Sequence, residues 1–364
     1  SIRDALIAFP GLLLIPKRFV EAKSFLKSII GLLQRGQLPS ELSEDASAPV
    51  FRGTDVSLWL FPAIHEYLRY TRDDVFGREM LDTLLSVIDA HRRGQVPNVQ
   101  IDADGLLANR LPGGSWMNAR SDQWVVTPRT GQTVELNALW YNALAVASNL
   151  CQRFDRPEMH LELLGETNRV QAAFNARFWN DRAACCFDAI DDGKPDDAVR
   201  PNQVFAISLQ YPVLAPERHA SVLRVIEQLL LTPVGLRTLA PDDADYRGKY
   251  AGDVIARDQA YHQGSVYPWL LGPYIRAQVR LANSSLQSRT RSRQLLQHCF
   301  ELIQSSGLGQ LPELFDGDVP HRAGGSMASA RSIGEILRAY VEDVLATSPQ
   351  LPIAPKNSQL APTK

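Results

Sequence analysis

Apolar side chains recur along this chain at helical spacing. Phe19, Ala22, Phe25 with Leu26, Ile29 with Ile30, and Leu33 form one stripe, which stops at Gly36. Phe76, Met80 with Leu81, Leu84 with Leu85, and Ile88 form another. The same spacing predicts helices over 55–70, 133–152, 158–179, 201–210, 217–231, 265–283, 289–306 and 327–347. That makes ten helices, with a partial one expected ahead of Pro16. Strand-like alternation is nearly absent, so the pattern predicts an all-α chain.

The connections alternate in length from residue 94 onward. Long ones (94–132, 181–200, 232–264, 307–326) are interleaved with short ones near 153–157, 211–216 and 284–289. Successive helices of hairpins run antiparallel, so this alternation predicts every long loop at the same end of the fold. A closed ring of such hairpins has one plain rim and one elaborated rim. Asp102, Asp104, the run Ser115 to Asn118, the run Tyr246 to Tyr250, and Glu313 all fall in long loops. They are therefore expected around a single pocket over the ring axis. No low-complexity tract divides the chain, which predicts one domain over 1–347. The Pro-, Ser- and Asn-containing stretch 348–364 reads as a disordered tail.

At 364 residues the chain is long enough for two average domains, but a single helical ring also reaches this length, so size does not decide. The formal charge of -2, with scattered Lys and Arg, leaves no basic stripe for a phosphate backbone, and no nucleic acid partner is expected. The apolar run Ala5 to Ile15 is broken by Pro10 and Gly11 and is too short to span a bilayer. It has no basic region before it and no evident cleavage site after it, so neither a membrane span nor a leader is expected. Cys151, Cys185, Cys186 and Cys299 show no metal-ligand spacing. A reducing cytoplasm is the simplest reading, with no metal and no cofactor.

Two loop sequences carry the chemistry. One is Arg257-Asp258-Gln259-Ala260-Tyr261-His262-Gln263-Gly264, followed by Tyr267-Pro268-Trp269; the other is Leu311-Pro312-Glu313-Leu314-Phe315-Asp316-Gly317-Asp318. Carboxylates, amides, a histidine and aromatics at this density are costly to bury in a core, yet they suit a polyhydroxylated ligand. They read as a carbohydrate site. A lone histidine is usually a hydrogen-bonded structural residue, and no second His or Cys sits at ligand spacing from His262. Trp116 and Trp269 are either core residues or platforms on which a pyranose ring stacks.

Several blocks taken together resemble a known family. These are Trp116-Met117-Asn118-Ala119-Arg120, Trp124 to Arg129, Glu135 to Leu144, Arg200-Pro201-Asn202-Gln203, Leu231 to Leu239, Ala260 to Gly264, and Glu313 to Asp318. In this order they are similar to the C-terminal glucosidase domain of glycogen debranching enzymes, the amylo-alpha-1,6-glucosidases. The resemblance implies an (α/α)6 toroid and release, with inversion, of the single α-1,6-linked glucose left at a trimmed branch of glycogen or limit dextrin. In that chemistry an acid protonates the glycosidic oxygen while a carboxylate roughly 6.5–9.5 Å away activates water. Glu313 matches the family's general base. Arg3 and Asp4 match a pair that contacts sugar hydroxyls, and Asp55, Trp59 and Asp104 match further subsite positions. Asp258, His262 and Gln263 are assigned to substrate hydroxyls, with Trp116 and Trp269 as sugar platforms.

The departures from the family pattern bear on activity. Asn118 stands where the family's Trp-Met-Asp carries the general acid, and an amide has no proton to deliver to a leaving oxygen. Ser326, Ser329 and Arg331 stand where the family usually has Cys, Gln and Trp. The chain also starts within the family's first conserved block, so helices ahead of Ser1 are expected to be missing. Two function classes stay open. One is a glycoside hydrolase, with Asp122 or Asp104 as substitute acid or with its acid deliberately removed; the other is a catalytically silent α-glucan-binding or regulatory homologue. A helical-ring terpene cyclase is set aside, because its Asp-rich metal motif is missing.

Overall fold

The computed structural model describes residues 1–42, 49–121, 124–305 and 308–347. Asp122 and the tail expected at 348–364 lie outside the described residues. Twelve α-helices are found among the described residues: α1 Ile2–Phe9, α2 Phe19–Ile30, α3 Asp55–Thr71, α4 Asp74–Arg92, α5 Val134–Arg153, α6 Pro157–Arg177, α7 Phe205–Ser208, α8 Pro216–Leu229, α9 Val254–Tyr261, α10 Leu271–Leu281, α11 Leu286–Ser305 and α12 Ala330–Arg338. Their ends follow local chemistry. Asp73 caps α4, its carboxylate accepting from the Phe76 N–H at 3.0 Å. Asp253 caps α9 on the Ala256 N–H at 2.8 Å, and Ser329 caps α12 on the Ser332 N–H at 3.3 Å.

The helices that bury most of their surface pack in sequence: α1 on α3, α3 on α5, α5 on α7, α7 on α10, α10 on α12, and α12 on α1. The contact between the N-terminal segment and α12 is backbone against backbone. A Cβ on Gly11 would sit 1.8 Å from the Gly334 carbonyl oxygen, so no larger residue fits there. Leu58, Leu60, Phe61, Trp140, Phe205, Trp269 and Tyr274 belong to the large apolar cluster between these helices.

The expectation of an all-α (α/α)6 toroid is corrected. The chain is 54% helix and 12% strand, a helical assembly that carries several small sheets. The largest is five-stranded and antiparallel, in the order Leu231–Thr232, Gly235–Arg237, Val266–Tyr267, Leu314–Phe315, Ala323–Gly324. Its strands are two or three residues long, too short for alternation to stand out in sequence. Two of the expected helices are also shorter than their stripes. Residues 201–210 hold a 3-10 turn followed by α7, and 265–283 begin with the strand Val266–Tyr267. In the loop expected over 232–264 the chain instead forms α9, whose only buried residue is Ala260. Among the described residues no helix is long and apolar enough to cross a membrane.

Candidate active site

The five-stranded sheet places the loop around Glu313 beside the Val266–Tyr267 strand and the Ala323–Gly324 strand. Phe315 pairs with both Val266 and Ala323. Glu313 is then bound to Ser326 twice. Its backbone N–H donates to the Ser326 carbonyl at 2.9 Å, and the Ser326 N–H donates to Glu313 Oε2 at 3.1 Å. The Tyr261 hydroxyl, at the end of α9, donates to Oε1. Burial, and then the adjacent Glu313 carboxylate, hold that phenol well above its usual pKa, so it stays protonated and keeps donating. Gly325 makes the turn with φ +67°, and a Cβ there would lie 2.6 Å from Glu313 Oε2. Only glycine supplies both the turn and the space.

Arg331 joins this carboxylate to the N-terminus. Its Nη2 lies 3.5 Å from Glu313 Oε1, and its Nε lies 3.0 Å from Asp4 Oδ1. The contact to Asp4 is an ion pair by distance but lacks the angle of a hydrogen bond. The guanidinium also sits over the Tyr267 and Trp269 rings, at 6.0 and 5.6 Å. Even so, the Glu313 side chain keeps 17% of its surface exposed, enough to meet a ligand.

Behind Glu313 stands an aromatic cluster. Tyr261 meets His262 at 4.7 Å between ring centres, and Trp116 meets His262, Tyr267 and Trp269 edge-on at 5.3, 5.4 and 5.3 Å. His262 is buried. Burial, with Arg331 and Arg200 nearby, pushes its pKa well below the usual value, so the ring is neutral. Nδ1 accepts the Ala119 N–H at 3.4 Å, which assigns the proton to Nε2. Trp116 donates to Asn202 Oδ1 at 2.8 Å, and Asn202 donates to Asp188 at 2.9 Å. Arg200 donates to the His262 carbonyl at 2.8 Å and to Gln263 Oε1 at 2.6 Å. Arg129 completes the support by pairing with both Glu135 and Asp188.

The expected site residues divide by environment. Glu313, Tyr261, His262 and Trp116 are joined by direct contacts, and Asp4 reaches Glu313 through Arg331. Trp116 and Trp269 are 2% and 1% exposed, and Trp269 stacks on Phe205 at 5.7 Å, so both belong to the wall of the core and offer no free face. Arg3 and Asp55 form a buried bidentate pair, both bonds at 2.8 Å. Trp59 packs edge-on to Phe205 and lines, with Trp269, a cavity of about 60 Å³ bounded by Glu66, Arg276, Glu335 and Arg338. Gln263 is occupied by Arg200. Asp104 stands apart, paired with Arg177 of α6 at 2.7 Å. Asn118 and Asp258 are half-buried. The segment bearing Asn118 touches the cluster through the Ala119–His262 bond.

Sequence reading missed the supporting roles of Arg129, Asp188 and Arg331. Arg129 lay inside a family block and Arg331 was visible as a departure. Asp188 carried no motif signal, because its partner is 59 residues away. Among the described residues no group of three His, Cys, Asp or Glu side chains is arranged to hold a metal ion. A partly exposed carboxylate oriented by three donors can accept a proton from water.

Comparison with known proteins identifies the family. The chain is 23% identical over 366 aligned residues to the glycogen debranching enzyme of Saccharomyces cerevisiae, an alignment covering 76% of this chain and 24% of that enzyme. The chain thus spans about a quarter of that relative's length. In fold it is similar to the crystal structure of an uncharacterized conserved protein from Thermus thermophilus, with a TM-score of 0.65, 14% identity, and coverage of 93% of this chain and 92% of that one. The family profile described as amylo-alpha-1,6-glucosidase matches residues 2–338. With nearly the whole chain matched, the protein belongs to the amylo-alpha-1,6-glucosidase family of glycoside hydrolases.

Proposed function

We propose that this chain binds an α-glucan and hydrolyses the single α-1,6-linked glucose at a trimmed branch of glycogen or limit dextrin, with inversion. The observation that carries this reading is the Glu313 carboxylate, held by Tyr261 and the Ser326 N–H yet still partly exposed. In the reaction Glu313 takes a proton from water as the water oxygen attacks the anomeric carbon. The glycosidic bond breaks on the opposite face, and the glucose leaves in the β configuration. Asp4, whose side chain keeps 34% of its surface, meets a sugar hydroxyl, and buried His262 supports the wall behind the site. Four free cysteines suit a reducing cytoplasm, where such a glucan is stored.

A second reading is favoured by one observation, the amide at Asn118. It makes the chain a catalytically silent glucan-binding homologue. The discriminating measurement is glucose release from a limit dextrin bearing single α-1,6-glucosyl stubs, with the anomer followed by NMR. Release of β-glucose that is lost in Glu313→Gln supports the hydrolase. Glucan binding with no glucose released by the unaltered chain hands the site to the second reading.

A further inference from the structure

We propose that Asp258 is the general acid of this site, standing in for the amide at position 118. The inference rests on the hydrolase reading above and supplies the proton that reading lacks.

The placement of α9 carries it. On one side α9 packs against the Arg120–Ser121 strand, two residues from Asn118, and the neighbouring His262 accepts the Ala119 N–H. On the other side α9 ends in Tyr261, whose hydroxyl is bonded to Glu313. The helix therefore bridges the segment that should carry the acid and the residue that acts as base. Asp258 is three residues before Tyr261, so the two share a helix face, with their Cβ atoms roughly 5–6 Å apart. The Tyr250 ring lies 5.9 Å from the Tyr261 ring. Burial first, then Glu313 and Asp258 against the opposing Arg257, push the Tyr250 hydroxyl above its usual pKa, so both carboxylates act electrostatically on that phenol.

Asp258 is also the carboxylate with capacity to spare. Among the described residues it makes no hydrogen bond and no ion pair, although it is half-buried. The other acids near the site are committed. Asp4 pairs with Arg331, Asp316 accepts the Tyr250 N–H at 2.7 Å, and Asp318 accepts the Tyr246 hydroxyl at 3.0 Å. A half-buried carboxyl with no partner among the described residues, close to the segment bearing Asn118, is free to deliver a proton to a glycosidic oxygen. The balance is simple. Water gives one proton to Glu313 and its oxygen to the anomeric carbon, the glycosidic bond breaks, and the Asp258 proton goes to the departing oxygen. Solvent then returns a proton to Asp258 and takes one from Glu313.

The test uses two substrates that differ only in their need for an acid. Fluoride leaves α-D-glucosyl fluoride without protonation, whereas a dextrin stub cannot leave that way. Asp258→Asn should lower kcat/KM on the dextrin by about 10²–10⁴-fold, while fluoride hydrolysis falls less than tenfold. The alkaline limb of the dextrin pH profile, which reports the essential acid, should disappear. Adding Asn118→Asp to Asp258→Asn should recover dextrin turnover, because it restores a carboxyl on the adjacent segment. Equal losses on both substrates would make Asp258 a binding or structural residue and overturn the proposal. No loss on either would overturn it too. If the unaltered chain hydrolyses the fluoride but not the dextrin, the base stands and the acid falls. If it hydrolyses neither, the hydrolase reading itself fails.

Discussion

Two charged clusters in this molecule use the same side chains to opposite ends. Around Glu342, Arg69 and Tyr70 each donate to one carboxylate oxygen at 2.5 Å, and Arg276 donates to the other at 2.6 Å. Arg338 adds a fourth contact at 3.6 Å and is itself bound to Glu335 and Asp343. Glu342 and Arg338 are each 2% exposed. Around Glu313 the carboxylates are less saturated. Asp4 keeps 34% of its surface, Glu313 keeps 17%, and Asp258 has no partner among the described residues. A buried charge without partners is penalised by several kcal/mol, so the first cluster had to be completed by protein groups. The second is left open, which is what the proposed glucan site calls for. Unused hydrogen-bonding capacity, more than the presence of charge, separates a site from a strut.

The largest expected effect tests the open cluster. Glu313→Gln should reduce glucose release by at least about 10²–10⁴-fold while leaving glucan affinity within tenfold, which is about 1.4 kcal/mol. Its melting temperature should barely move. Retained turnover would remove Glu313 from the chemistry and erase the contrast.

The closed cluster should answer in the opposite way. Glu342→Gln removes the carboxylate charge that Arg69, Arg276 and Arg338 share and should cost about 3–5 kcal/mol of stability in chemical denaturation, with kcat/KM per folded molecule unchanged. Its pH dependence follows from the same contacts. Burial pushes the Glu342 carboxyl up, but Arg276, Arg69 and Arg338 outweigh it and hold the group at about 2. Being depressed, this group stabilises the fold above its unfolded value near 4.5 and loses that contribution as pH falls from there toward 2, a loss on the order of 3 kcal/mol. The variant should flatten that part of the stability profile. An unaltered slope would show that Glu342 is not a keystone.

A third variant probes the support of the open cluster. Gly325→Ala places a methyl within 2.6 Å of Glu313 Oε2, on a backbone with φ +67°. The left-handed conformation alone costs about 1–2 kcal/mol, and the Glu313 carboxylate is displaced as well. Turnover should fall tenfold or more by steady-state assay, out of proportion to a modest loss of stability. Unchanged kinetics would mean that the carboxylate does not need its present position.

How far the sequence foretold this depended on whether burial leaves a periodic trace. Helices α4, α5, α6, α8 and α11 were legible, since long stripes such as Phe76, Met80, Leu84 and Ile88 face the core. Helix α9 left no stripe, having only Ala260 buried, and the two-residue strands were too short to alternate. The blocks around His262 and Glu313 stood out by their density of polar groups, and the structure joins them through Tyr261. For Trp116 and Trp269 the sequence left core and sugar platform open, since a tryptophan's neighbours do not say which face is covered, and the structure buries both. The Arg129, Glu135 and Asp188 triad was hidden by distance along the chain.

Asp104 gives the smallest and most discriminating expectation. Loop alternation put it on the same rim as Glu313, and the family resemblance made it a subsite residue. In the structure it belongs to neither cluster: Oδ1 accepts the Leu106 N–H at 3.1 Å, and Oδ2 meets Arg177 across two side chains that are 29% and 37% exposed. A pair that exposed is screened by water and contributes about 0–1 kcal/mol. Asp104→Ala should therefore cost less than about 1 kcal/mol in a denaturant titration and leave dextrin turnover within twofold. A tenfold loss in kcat/KM without a loss of stability would bring Asp104 back into the site. It would also mean that the open cluster extends further along the rim than the contacts around Glu313 reach.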